Sequence, residues 1–490
     1  MTDLAAPKKT VSVKDKLGYA TGQIAESANF VAFDTFLFFY YNQVLGLPGT
    51  LAGLAVAIAL VFDAVTDPLV GSLSDGWRGK RFGRRHPFMM ASIIPLTLSI
   101  YAIFQPPAGL ADMQLFLWML VFTILARGAM TLLGVPYISL GAEMSSDYHE
   151  RTSIVVWRQM VGYVASIIIL GLAFRVFFAE TPDYANGMLN PDGYRPYIIM
   201  TVIMIAASAM VMIWRTTKFR DISRNANLTD SHPIRALRKA FRELKQALSV
   251  RSFSALFSGL LAIFILSGIQ KAFTNHVGVF FWEFTTDQLF IYAMSLMFGI
   301  MIGIPTAASL APHMEKKTLF LGALAASILV GAVPVLSRLY GVFPENGDPM
   351  LIWHVSGWTA MWALLVGITL VIGDSMMADI TDDYEARYGD RQEGIFFGAR
   401  SFSAKAATGV GTLLGGVGLD LIGFPENASQ AGDIPQETLN WVALLGGPIW
   451  APLSILALLF VMRYDITKER LKNIHLALMA RGDKKDGAAG

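Results

Sequence analysis

Two carboxylates in an apolar stretch carry the most chemistry in this sequence. Residues 51–73 read LAGLAVAIALVFDAVTDPLVGSL, long enough to cross a bilayer as a helix. Asp63 and Asp67 stand four residues apart in it, on one helical face. Ionised and unpaired in hydrocarbon, each would cost on the order of 3 kcal/mol on insertion scales, so their presence marks a functional site. Thr66 adds a hydroxyl to the same stripe. Pro68 cannot donate a backbone hydrogen bond and leaves the carbonyl of Ala64 available within the turn. Carboxylates with neutral oxygens suit a hard monovalent cation. Two neighbouring acids could instead share one proton. Pairing with a lysine or arginine of another helix is the structural alternative.

Other polar residues lie at comparable depth. Arg127 and Thr131 are separated by one helical turn; Thr131 could give the cation a further oxygen or simply bond its own helix backbone. Arg127 needs a carboxylate or an aqueous cavity, with Glu26 or the two aspartates as candidates. In 18–45, Glu26 and Asn29 share a face, and Tyr19, Gln23 and Asp34 add polarity, the pattern of a cavity-lining helix. Lys271, Asn275 and His276 precede the aromatic residues Phe280, Phe281 and Trp282. They are candidates for a cavity or gate, and His276 has no neighbours at metal-ligand spacing. Lys405, deep in an apolar run that also holds Arg400, must face a cavity or a carboxylate. Arg158 raises the same question, with snorkelling as its alternative.

These residues need membrane helices to position them. The chain has 490 residues, 54% hydrophobic and 16% charged, with mean hydropathy +0.49, a balance foreign to soluble domains. It has no cysteine, which excludes disulfides, thiolate metal sites and cysteine nucleophiles. Apolar runs of spanning length fall at 18–45, 50–73, 88–106, 113–141, 154–179 and 196–214. Six more follow at 254–283, 287–311, 318–338, 351–377, 394–423 and 437–462, which predicts twelve transmembrane helices. Lysine and arginine cluster in the N-terminal tail, in 78–85, in 215–251 and beyond Arg463, so both termini are expected on the cytoplasmic side. The N-terminus shows no cleavable signal peptide pattern. Two six-helix bundles are expected, 1–214 and 254–490, joined by a basic linker at 215–253. Within that linker, residues 233–248 have the spacing of an amphipathic surface helix, with a flexible linker as the alternative.

An internal repeat supports the division. Ala142, Glu143, Asp147, Tyr148 and Arg151 after helix four match Ala378, Asp379, Asp383, Tyr384 and Arg387 after helix ten, at a constant offset of 236. Six plus six helices in two parallel repeats is the major facilitator plan. The run from Gly71 through Asp75 to Arg81, Gly83, Arg84 and Arg85 is similar to that superfamily's cytoplasmic signature. Its aspartate and arginines, with Asp147, Arg151, Asp383 and Arg387, are candidates for gating rather than substrate contact.

On three segments the chain resembles the glycoside–pentoside–hexuronide:cation symporter family, the melibiose-permease-like branch of the major facilitator superfamily. They are 63–68, the run from Gly134-Val135-Pro136-Tyr137 to Arg158, and the run from Ala378-Asp379 through Arg391 and Glu393 to Lys405. The resemblance implies an all-α membrane protein of twelve transmembrane helices. It also implies a sodium, lithium or proton site at Asp63, Asp67, Thr66 and Thr131, with Lys405 near cation and sugar and Arg158 as the helix-five arginine. The family's sugar-contacting positions fall on Ser27, next to Glu26, and on Gly134 and Ile138, so the types that bond sugar hydroxyls and stack on the ring are missing there. The expectation is a cation-coupled (Na+ or H+) symporter of a sugar or glycoside working by alternating access; a lysolipid-like amphiphile is the alternative cargo. A transport-dead sensor in the same fold is a further rival, and the intact acidic pair argues against it. Glu26, Ser27, Asn29, Arg127, Gly134, Ile138, Arg158 and Lys405 are the substrate and coupling candidates. No nucleophile–base spacing, phosphate loop or metal cluster suggests an enzyme. No cofactor beyond the coupling ion and no nucleic acid partner is expected. A monomer in a bacterial inner (plasma) membrane completes the expectation.

Overall fold

The computed structural model describes residues 11–77, 79, 81–220, 242, 244, 245, 247–389 and 393–488. Among them, β structure is limited to one bridge between Thr181 and Tyr184; the rest is helix and short connection. The chain divides into two compact units, one of Met1–Leu47 with Ile58–Leu237 and the other of Pro48–Ala57 with Arg238–Gly490.

The first unit opens with α1 (Val13–Ala20), capped by the Ser12 side chain, which accepts from the Asp15 N–H, and α2 (Gly22–Phe30). The run 18–45, expected as one helix, then loosens into π-helical turns at Val31–Leu37 and Tyr40–Val44. Such turns shift the register of the side chains that follow. Here Phe36 packs against Phe174, Phe178 and Tyr197. The Tyr40 and Tyr41 hydroxyls donate to the carbonyls of Phe104 and Ile103 at 3.1 and 2.7 Å. Next come α3 (Gly49–Gly76), α4 (His86–Ile103), α5 (Asp112–Glu143), α6 (Tyr148–Leu172) and α7 (Pro191–Thr216). Asn190 caps α7 through the Asp192 N–H, with Pro191 at the first helical position, where its missing donor costs nothing.

The second unit holds α8 (Arg251–His276), α9 (Thr286–Leu310), α10 (Lys316–Leu339), α11 (Leu351–Tyr388), α12 (Glu393–Leu421), α13 (Gln436–Leu445), α14 (Ala451–Val461) and α15 (Lys468–Ala488). The start of α3, through Ala57, is counted with this unit: Asp420 of α12 accepts from the Gly49 and Thr50 N–H groups, both at 2.8 Å. Helices α8 and α12 meet backbone to backbone at Gly268 and Gly411. A Cβ on Gly411 would stand 1.9 Å from the Ile265 carbonyl oxygen, so only glycine fits. The core gathers Phe253, Leu256, Phe320, Ile372, Met376 and Phe396.

Nine described helices are long and apolar enough to cross a membrane, or ten if α13 and the Pro448–Val461 stretch, bent by 43°, form one broken span. This is an integral, multi-pass membrane protein. The run 437–462, expected as one helix, breaks at Gly446-Gly447-Pro448: proline has no N–H for the ladder and clashes with the preceding turn. The repeat motif, placed after helices four and ten, lies partly inside them. Ala142 and Glu143 end α5, while 378–387 are all within α11, which runs until Gly389 takes a left-handed conformation (φ 81°). The amphipathic stretch expected at 233–248 falls mainly on residues outside those described.

Candidate functional site

Helix α3 continues through Asp63, Thr66, Asp67 and Pro68, and α5 through Arg127, Thr131 and Gly134. The stretch of α3 from Ile58 onward and all of α5 belong to the first unit. Between them the Thr131 hydroxyl lies 2.8 Å from Asp63 Oδ1, 3.2 Å from Asp67 Oδ1 and 3.1 Å from the Arg127 carbonyl. It has one proton to donate, and the shortest contact is with Asp63. Asp63 and Thr131 are 6% and 4% exposed, which keeps water from replacing that bond. Arg127 Nη1 stands 4.0 Å from Asp63 Oδ2, and its guanidinium lies over the Phe33 ring at 4.8 Å. The structure thus brings together Asp63, Asp67, Thr131 and Arg127. The Thr66 hydroxyl, expected beside them, donates to the Asp63 backbone carbonyl at 3.2 Å, a common outcome for a helical threonine. The convergent oxygens are two carboxylates and one hydroxyl, hard donors suited to a monovalent cation or a shared proton.

The residues proposed for cargo and coupling separate into several environments. Glu26 Oε1 lies 3.2 Å from where a Cβ on Gly134 would be, so the absent side chain is what admits this carboxylate to α5. Ser27 donates to the Gly162 carbonyl at 3.0 Å and is spent on packing α2 against α6. Asn29 is buried and Ile138 exposed. The Tyr19 hydroxyl donates to the Tyr137 carbonyl at 3.2 Å, and its ring packs on Tyr137 with centroids 4.6 Å apart; Arg158 lies on α6. Lys405 lies half-buried on α12 in the second unit.

The gating candidates close into networks. Arg85 reaches Asp75 at 2.5 Å and Glu143 at 2.8 Å and donates to Ser74 at 2.7 Å. Arg84 joins Glu143 at 2.6 Å. Arg85, in the loop before α4, therefore ties the end of α3 through Asp75 and Ser74 to the end of α5 through Glu143. The two repeat copies diverge. Asp147 caps α6 by accepting from the Glu150 N–H, and Arg151 donates to the Ser145 carbonyl. Asp383, inside a continuous helix, pairs instead with Arg387 at 2.8 Å and with Arg470 of α15 at 3.2 Å. Sequence reasoning missed two more pairs of the second unit, Asp374–Arg400 at 2.6 Å and Asp379–Lys316 at 2.7 Å. A signal was there: Asp374 interrupts an apolar run as Asp63 does.

Comparison with known proteins follows the same lines. Residues 18–468 match a family described as MFS/sugar transport protein. The chain is 22% identical to the Inner membrane symporter YicJ of Escherichia coli (strain K12), over 97% of both chains. It is 23% identical to the isoprimeverose transporter of Lactiplantibacillus pentosus, over 92% of this chain and 89% of that one. The sodium-dependent lysophosphatidylcholine symporter 1 of Gallus gallus is also 23% identical, over 96% of this chain and 90% of its own. Among solved structures, the inward open xylose transporter XylE from E. coli aligns with TM-score 0.57 at 12% identity, covering 95% of this chain and 98% of that one, a likeness of fold alone. A family match running from α1 to the start of α15 unites fold and ancestry: the chain belongs to the MFS/sugar transport protein family, with the major facilitator fold of a transporter and not an enzyme.

Proposed function

We propose that this protein couples the uptake of a sugar or glycoside to the entry of a monovalent cation by alternating access. The convergence of Asp63, Asp67 and Thr131 on one buried point carries the reading. A cation entering there would draw the Thr131 hydroxyl oxygen toward itself and satisfy both carboxylates, so that cargo binds more tightly to the loaded form. By linkage, cargo would tighten the cation by the same factor. Sodium and the proton both fit the oxygen set. Lys405 of the second unit is proposed as a coupling residue, as the family resemblance implies. Twelve crossings, cytoplasmic termini and a bacterial inner membrane belong to the same proposal, supported by the apolar runs, the lysine and arginine distribution and bacterial relatives such as the isoprimeverose transporter; a monomer is proposed with them.

A second reading keeps the machinery and changes the cargo to a lysolipid-like amphiphile. Gly134 and the exposed, apolar Ile138 favour it, as does the chicken lysophosphatidylcholine symporter at similar identity. The test is counterflow in proteoliposomes with Asp63→Cys and Asp67→Cys: loss of cation stimulation is expected in both, and wild-type stimulation in both would sink the cation site. A panel of glycosides and lysophospholipids in the same assay separates the two cargoes.

A further inference from the structure

The second unit contains a partly open cavity of about 340 Å³ bordered by α8, α9, α10, α11 and the broken α13–α14 pair. That size falls in the range of small-molecule pockets, about 300–1,000 Å³. Two kinds of group line it. Trp358 and Trp362, one turn apart on α11, and Trp450 beside the helix break contribute indole rings, the last with its N–H donated to the Leu445 carbonyl at 2.7 Å. Gln270 and Lys271 of α8 contribute an amide and an ammonium, while the Thr274 hydroxyl donates to the Gln270 carbonyl at 2.7 Å.

Two further observations bear on what the cavity holds. The break itself, Gly446-Gly447-Pro448, is part of the wall. Unwound backbone at membrane depth is tolerated where it faces protein or a polar cavity and not against lipid, and transporters place such breaks at their binding sites. Gly331 of α10 makes room for the indole of Trp362: a Cβ there would stand 2.9 Å from its ring, so glycine lets that ring approach the helix at the cavity wall.

The peptides at the break are satisfied within the chain, Gly446 N–H by Val442 and Gly447 N–H by Leu444, but an acyl chain would leave the Gln270 amide facing hydrocarbon, a cost of about 1–3 kcal/mol for a desolvated polar group. A small ion would make no use of three indoles. A sugar ring has one apolar C–H face to lay on an indole and a rim of hydroxyls that both donate and accept, as the Gln270 amide does. In the first unit, the positions that resemble sugar contacts are Ser27, spent on Gly162, and the non-polar Gly134 and Ile138. We infer that a sugar ring of the cargo is held in this second-unit cavity, stacked on Trp362 or Trp358 and hydrogen-bonded by Gln270 and Lys271. This inference rests on the glycoside reading of the function.

The test is binding to the purified full-length protein in nanodiscs with saturating sodium. Methyl glucoside, methyl galactoside, methyl xyloside, sucrose and lysophosphatidylcholine serve as probes. At least one sugar is expected to bind wild type. Trp362→Leu and Gln270→Leu are each expected to weaken it about tenfold, as loss of ring stacking or of a hydrogen bond predicts. Trp362→Phe should recover most of the loss, and sodium affinity measured without sugar should stay within about twofold of wild type. Retained sodium binding also certifies that each variant is folded, and Gln270→Leu stands in should Trp362→Leu misfold. If a sugar binds wild type and both leucine variants equally, the cavity assignment is overturned while the glycoside reading stands. If no sugar binds wild type, or lysophosphatidylcholine alone does, the glycoside reading falls and the inference with it.

Discussion

Replacing Asp63 with asparagine changes one property of the site at a time. The amide is nearly the size of the carboxylate and its carbonyl oxygen still accepts from Thr131, so the 2.8 Å contact survives. What disappears is a buried negative charge beside the position a cation would occupy. At 4 Å and an effective dielectric of about 20, one pair of unit charges is worth about 4 kcal/mol, close to three decades in affinity. Direct coordination would be closer than that, so a loss of about a thousandfold in cation affinity is the lower expectation. The same substitution removes the carboxylate 4.0 Å from Arg127. Thermal unfolding of the variant must therefore be read beside its transport, to separate lost folding from lost coupling. The assay is sodium- or proton-stimulated counterflow in proteoliposomes, with cation titrations by calorimetry on the same preparation. A folded Asp63→Asn protein with cation affinity within about threefold of wild type would refute the electrostatic reasoning and move the cation elsewhere.

Other substitutions test the remaining assignments. Ser27→Ala removes the bond to Gly162 and should cost about 1 kcal/mol of stability while leaving cargo affinity unchanged; a large loss of affinity would return Ser27 to the cargo site. Gly411→Ala places a methyl group 1.9 Å from the Ile265 carbonyl oxygen. It should lower the yield of folded protein sharply, by roughly 3 kcal/mol or more of strain, and normal expression with an unchanged melting temperature would contradict the close packing of α8 on α12. Glu143→Gln loosens its hold on Arg84 and Arg85. A change in transport rate with cation affinity preserved is expected, and an unchanged rate would remove this network from gating.

The coarse plan of the molecule was legible because the bilayer constrains it. Helices that must satisfy every peptide group internally write themselves as long apolar runs, and nine of the described helices pass that test. What escaped were the departures from regular helix. Nothing in the periodicity of 18–45 distinguishes the π-helical turns at Val31–Leu37, because their cause is a tertiary one, the packing of Phe36 and Tyr40 among rings supplied by α4, the turns following α6, and α7. The break in 437–462 had a local signal in Gly446-Gly447-Pro448, outweighed by the apolar residues on either side.

Within the site, legibility followed the energetic cost of each residue. Asp63 and Asp67 stood out because a buried charge is expensive, and so did Arg127 and Arg400; their placement on the right helices needed little more than that cost. Thr66 shows the limit of spacing: its position on the stripe is as expected, yet its hydroxyl turns to the backbone of Asp63, a choice made by rotamer and not by register. The repeat makes the same point at the level of the fold. Asp147 and Asp383 occupy matching places in the sequence, but the short turn between α5 and α6 makes the first a helix cap, and an unbroken α11 makes the second an ion-pair partner. Asp147→Ser, which preserves a capping oxygen, should therefore be nearly neutral for folding. Asp383→Ser loses both Arg387 and Arg470 and should destabilise by about 1 kcal/mol, because both guanidinium groups are partly exposed and Arg470 keeps Asp465 at 2.8 Å. Equal effects of the two substitutions on thermal unfolding would mean that the repeat has kept a common role that the geometry denies it.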